Sequence, residues 1–161
     1  MLNDCKYGVS MLGDEIALTL LRAATCPDLH ADQGEHRFTY SYYVWDGPLL
    51  TSGVVQAGYE LNVDVQHAQG RCEDFSLASC DRGNVIIETI KQAEDGSGDV
   101  ILRVYESLNA ACHARLTLGL PATSALECDM LERELRPLGL QNGQLELDFR
   151  GFEIKTLRLK R

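Results

Sequence analysis

Two short stretches hold most of the side chains able to do polar chemistry. Ala31-Asp32-Gln33-Gly34-Glu35-His36-Arg37-Phe38-Thr39-Tyr40 crowds two carboxylates, an amide, an imidazole and a guanidinium around one glycine, and Leu2-Asn3-Asp4-Cys5-Lys6-Tyr7-Gly8 adds an amide, an acid and an amine. Carboxylates beside an imidazole can move protons, and mixed donors and acceptors can hold a polar ligand. The same residue types in a loop also satisfy their own backbone, with Arg37 pairing to a nearby acid, and the sequence leaves both readings open.

The elements that must position these residues are short strands. Tyr7–Met11 and Glu15–Arg22 flank Leu12-Gly13-Asp14, a hairpin pattern, and the segment from Ala23 to Glu35 has no periodicity, so it reads as a long loop. Arg37 to Trp45 alternates, with Phe38, Tyr40, Tyr42 and Val44 on one face; such an aromatic stripe belongs to a core or stacks on sugar rings. Ser52 to Leu61 is the one helical candidate, and Leu61 to Gln66 returns to alternation. Around Ala68-Gln69-Gly70-Arg71 the sequence turns small and polar, which places a boundary between units 1–70 and 71–161. Strands are predicted beyond it at Phe75–Leu77, Val85–Lys91, Val100–Glu106, His113–Leu118, Leu126–Leu131, Leu145–Phe149 and Phe152–Leu159. Strands at this spacing, with Gly and Asp turns, predict an all-β antiparallel sandwich.

Composition narrows the function. The 161 residues are 45% hydrophobic and 24% charged, an ordinary globular balance, with a net charge of −9. That charge repels phosphate backbones and anionic lipid, so neither nucleic acid nor membrane is an expected partner. The apolar runs are too short for a bilayer, the first residues do not read as an export signal, and a cytoplasmic location is expected. Cys5, Cys26, Cys72, Cys80, Cys112 and Cys128 contain no close pair, which predicts free, mostly buried thiols and no structural zinc site. His67 and His113 sit in or beside strand patterns and read as surface or hydrogen-bonded core histidines. No P-loop, dinucleotide fingerprint or serine-nucleophile elbow is present.

Leu2-Asn3-Asp4-Cys5-Lys6-Tyr7-Gly8, Ala31-Asp32-Gln33-Gly34-Glu35-His36 with Phe38-Thr39-Tyr40, Tyr59-Glu60-Leu61-Asn62, Asn84-Val85-Ile86-Ile87-Glu88-Thr89-Ile90-Lys91 with Ala93-Glu94-Asp95-Gly96, Leu102-Arg103-Val104-Tyr105-Glu106 and Phe152-Glu153-Ile154-Lys155-Thr156-Leu157-Arg158-Leu159 occur in that order. Together they resemble the C-terminal region of the family 38 glycoside hydrolases, the zinc-dependent α-mannosidases. The resemblance implies that 1–70 is the end of a galactose-mutarotase-like supersandwich and 71–161 a small terminal sandwich. It also implies that the catalytic barrel, with its zinc and carboxylate nucleophile, lies elsewhere.

Retaining glycoside hydrolysis needs two carboxyl groups about 5 Å apart. Asp32 and Glu35 are the nearest approach to such a pair here, and His30-Ala31-Asp32 superficially matches the family's His-x-Asp zinc pattern without the rest of it. The chain is therefore expected to hold no catalytic residue and no metal ligand. Asp32, Gln33, Glu35 and His36, joined by Asn3, Asp4 and Lys6, are expected to reach sugar hydroxyls at the rim of the barrel or to fix an inter-domain contact. The expected partners are the catalytic domain and an α-mannoside, with self-association through strand edges left exposed. The alternative is a free-standing carbohydrate-binding or assembly module.

Overall fold

The computed structural model describes residues 1–161 and divides into two compact units, Met1–Ala68 and Gln69–Arg161. In the second unit the strands are β5 (Ala78–Cys80), β6 (Val85–Gln92), β7 (Val100–Glu106), β8 (Cys112–Leu118), β9 (Ser124–Cys128), β10 (Glu134–Leu138), β11 (Leu140–Gln141), β12 (Gln144–Phe149) and β13 (Ile154–Lys160). They form a five-stranded sheet in the order β10-β9-β13-β7-β6 and a four-stranded sheet in the order β11-β12-β8-β5, every pair antiparallel.

Period-two alternation builds the interface between these sheets. In β12, Leu145, Leu147 and Phe149 are buried while Gln144, Glu146 and Asp148 are exposed, and in β8 Ala114, Leu116 and Leu118 do the same. They meet Leu102 and Val104 of β7 and Leu157 and Leu159 of β13 in one apolar cluster. Removing each such side chain from water contributes about 1.5–3 kcal/mol, which is what fixes the register. The result is an all-β sandwich.

The sheet edges are blunted. β6 carries a bulge between Ile87 and Thr89, β10 carries one between Glu134 and Arg136 as well as Pro137, and β5 and β11 are only three and two residues long. Bulges, proline and short edges discourage pairing with another chain. β11 and β12 turn through Asn142 and Gly143, both at positive φ (50° and 73°), the Asn-Gly geometry of a tight hairpin. Gly119 is required for a different reason: a Cβ there would lie 1.9 Å from the Ser76 carbonyl oxygen.

The first unit is built otherwise. β2 (Val9–Leu12) and β3 (Glu15–Leu18) form an isolated hairpin, and β1 (Leu2–Asn3) pairs with β4 (Tyr40–Ser41) in a second two-stranded sheet. A single turn of 3-10 helix (Leu49–Thr51) precedes α1 (Val54–Asn62). The Gly53 N–H at the head of α1 donates to the Tyr43 hydroxyl at 3.1 Å, and the Val63 N–H closes its end on the Tyr59 carbonyl at 2.8 Å. No residue between 1 and 68 is buried.

Several expectations from the sequence need correction. The strand predicted over Arg37 to Trp45 reduces to Tyr40–Ser41, because Leu2–Asn3 is its one partner and offers two residues of pairing. The aromatic stripe is not core: Tyr40, Tyr42, Val44 and Trp45 are exposed, and only Phe38 and Tyr43 are half-buried. Leu61 to Gln66 forms no strand, Phe75–Leu77 gives way to Ala78–Cys80, and Leu126–Leu131 shortens to a strand ending at Cys128, after which the chain turns at Asp129. The six cysteines are free, yet only Cys128 is buried; Cys5, Cys26 and Cys72 lie exposed in segments that have no core.

Candidate functional site

Pairing of β1 with β4 brings the two polar stretches together. Leu2 faces Ser41 and Asn3 faces Tyr40, so the Asn3–Lys6 turn packs beside the strand that leaves the Asp32–His36 loop. The Asp4 carboxylate accepts the Thr39 N–H at 2.8 Å, while the Asp4 N–H donates to the Thr39 carbonyl at 3.1 Å. Asn3 accepts the Lys6 N–H on its side chain at 2.7 Å, and its carbonyl takes the Asn62 amide of α1 at 3.3 Å. Lys6 places its ammonium 4.9 Å from the centre of the Phe38 ring, a cation–π contact. The Cys5 thiol donates to Asp4, which holds that carboxyl below the usual range and pushes the thiol up.

The loop itself is self-bonded. Asp32 sits at positive φ (59°) and its carboxylate accepts the Ala23 N–H at 2.8 Å, which ties the two ends of the long loop. His36 Nε2 lies 2.9 Å from the Asp32 carbonyl oxygen, and Glu35 pairs with Arg37 at 2.7 Å in an ion pair open to solvent on both sides. Gln33 donates its backbone N–H to the His30 carbonyl at 3.2 Å and leaves its side chain exposed. Asp32 and Glu35 thus hold separate partners and do not share one. No group of three or more His, Cys, Asp or Glu side chains is arranged to hold a metal ion.

A second group of charges lies in the sandwich, and of its members the sequence reading weighed only His113. Glu106 is fully buried at the end of β7; its carboxylate accepts the Asn84 amide at 2.9 Å, the Leu108 N–H at 2.8 Å and the Phe152 N–H at 2.9 Å. Burial raises its pKa, but the N–H of Phe152 and the other donors outweigh that and hold it below the usual value. The signal was present: Glu106 is in phase with Leu102 and Val104, on the core side of its strand. Arg158 of β13 closes the β6–β7 turn by donating to Asp95 at 2.6 Å, Ser97 at 2.9 Å and Asp99 at 2.7 Å. On the outer face of the four-stranded sheet, His113 stands between Asp148 and Glu146, 2.8 Å from each.

The two packed antiparallel sheets and their anchored turns define the class of the second unit, an all-β sandwich domain. Residues 84–157 match the sequence model of the glycosyl hydrolases family 38 C-terminal beta sandwich domain, and the chain belongs to that family. It is 38% identical over 168 residues to Alpha-mannosidase 2C1 of Homo sapiens, an alignment covering 99% of this chain and 16% of that protein. With Alpha-mannosidase G of Dictyostelium discoideum the identity is 39%, over 98% of this chain and 15% of that protein. With the Alpha-mannosidase of Saccharomyces cerevisiae it is 31%, over 99% and 17%. The chain thus spans about a sixth of the length of these relatives. No helix is long and apolar enough to cross a membrane.

Proposed function

We propose that the chain is the C-terminal β region of a zinc-dependent α-mannosidase that hydrolyses α-mannosides in the cytoplasm, where it buttresses a catalytic barrel supplied by sequence outside these 161 residues. The observation that carries this reading is the first unit, in which no residue is buried although Tyr7 is 90%, Leu12 82% and Val44 87% exposed. A unit of that size completed by its own residues would bury a core, and apolar surface on this scale is covered by another part of a protein. The names of the relatives supply the reaction.

In that setting the Asp4–Thr39 bonds and the Asp32–Ala23 bond give the loop a fixed shape. Gln33, Glu35 and His36 are then presented outward from it, at the sugar rim or at the contact with the barrel, with Asp32, Asn3, Asp4 and Lys6 holding the loop's base. The zinc and the attacking carboxylate belong to the barrel, and no step of hydrolysis is assigned to this chain. Six free thiols support a reducing compartment. The complete reading frame that contains this chain, assayed on an aryl α-mannoside with zinc, is expected to hydrolyse it, and the 161-residue chain alone is not. Hydrolysis by the chain alone that is abolished by Asp32→Asn or Glu35→Gln would overturn the reading.

One observation favours a second reading, a carbohydrate-binding module. Tyr43 and Trp45 stack with ring centres 6.0 Å apart, and both are locked, Tyr43 by the Gly53 N–H and Trp45 by donating to the Gly47 carbonyl at 3.0 Å. Rigid rings with open faces are suited to stacking on sugars. Calorimetric binding of mannose that is lost in Trp45→Ala would place this reading first.

A further inference from the structure

The outer faces of the two sheets differ. On the four-stranded sheet Ser79, His113, Arg115, Thr117, Glu146 and Asp148 are exposed and polar, the composition of a solvated face. On the five-stranded sheet Thr156 of β13 and Ile101 of β7 are buried although they point away from the core, while Met130 is 54% and Ile154 58% exposed. A cavity of about 430 Å³ opens on that face, lined by Glu88, Arg103, Val104, Tyr105, Met130 and Ile154. Arg103 donates from Nη2 to the Met130 carbonyl at 3.0 Å, and its Nε is buried with no hydrogen-bond partner. A buried guanidinium N–H without an acceptor is costly, and a carboxylate is the group whose geometry satisfies it.

We propose that this cavity seats one acidic side chain from the part of the enzyme outside the 161 residues, its carboxylate taking the Arg103 Nε–H and its stem packing between Met130 and Ile154. The proposal rests on the reading of the chain as a region of a longer enzyme, since more than four-fifths of the relatives' length is unaccounted for by it. The unsatisfied Arg103 N–H selects an acceptor in spite of Glu88 on the same wall, and the apolar rim selects a carboxylate carried on a protein segment over a free ion. Met130 is unbranched and flexible, with the Thr156 hydroxyl 3.7 Å from its thioether, so its side chain can adjust to an entering carboxylate. Glu88 on the cavity wall, already engaged with the Thr89 hydroxyl, sets the acidic limit of the site.

The test follows the Arg103 Nε–H resonance in the 15N-labelled 161-residue chain as N-acetyl-glutamate N-methylamide is added, with N-acetyl-glutamine N-methylamide as control. A saturable shift with the acid and none with the amide is expected. Glu88→Gln should tighten the acid's binding about threefold, the effect of removing one screened charge. Arg103→Met should abolish the shift of the neighbouring Tyr105 and Ile154 signals. No shift, equal shifts with acid and amide, or movement of the Nε–H signal in Glu88→Gln alone, which would mean that Glu88 is its partner, each overturn the proposal. Because the probe is offered to the chain itself, failure here leaves the mannosidase reading standing, and an inactive full-length protein would leave this binding intact.

Discussion

The Glu106 carboxylate accepts the Phe152 N–H at 2.9 Å, joining the end of β7 to the turn that enters β13 across 46 residues of sequence. This contact holds together two neighbouring strands of the five-stranded sheet at the end where the β7–β8 connection also begins, since the same carboxylate takes the Leu108 N–H. Glu106→Ala would remove the acceptor that the Asn84 amide and the Leu108 and Phe152 N–H groups share. A loss of about 3 kcal/mol is expected, read as a lower urea midpoint with an unchanged slope. Glu106→Gln should cost less, because the amide oxygen still accepts.

Acid should unfold the sandwich through its anchored carboxylates. Asp95 is held well below the usual range by the Ser97 hydroxyl and N–H and by Arg158, Asp99 by Arg158, and Glu106 by its backbone donors despite burial. Their folded pKa values are lower than the unfolded ones, so the stability they contribute is complete above the unfolded carboxylate values and is lost as pH falls through the folded ones. The contribution of these carboxylates to the urea midpoint should be constant near neutrality and drop below about pH 4. Asp99→Asn should lower the neutral midpoint and flatten that drop.

His113 works in the opposite sense. Asp148 first and Glu146 second stabilise its protonated form and raise its pKa. A raised folded pKa contributes stability that is complete below the unfolded value and disappears as pH rises through the folded one. Between roughly pH 6 and pH 8 the chain should become slightly less stable, and His113→Ala should remove that slope. The His113 ring titration, followed by NMR, should move down in Asp148→Asn.

The sandwich was legible because its strands carry their own evidence: Leu145-Glu146-Leu147-Asp148-Phe149 alternates cleanly, and its apolar phase is the buried one. β10 was not legible, since Pro137 argues against a central strand and is tolerated only because this strand lies at an edge beside a bulge. The Asn142-Gly143 turn, a usable signal, was passed over between them. The first unit misled for a different reason. Alternation over Arg37 to Trp45 presupposes a neighbouring strand and a face to cover, and the chain provides only Leu2–Asn3. For the polar loop, residue types were readable but partners were not: that Asp32 would bond Ala23 and Asp4 would bond Thr39 depends on loop closure over 9 and 35 positions.

The proposed dependence of residues 1–68 on sequence outside the chain can be measured by amide hydrogen exchange on the 161-residue protein. The β7, β8, β12 and β13 amides should exchange slowly. Those of the β2–β3 hairpin and of α1, which bury no side chain, should exchange close to the unfolded rate and gain protection in the complete protein. Slow exchange of both units in the 161-residue chain would show that the first unit is complete by itself, and would contradict the reading of this chain as the end of a larger enzyme.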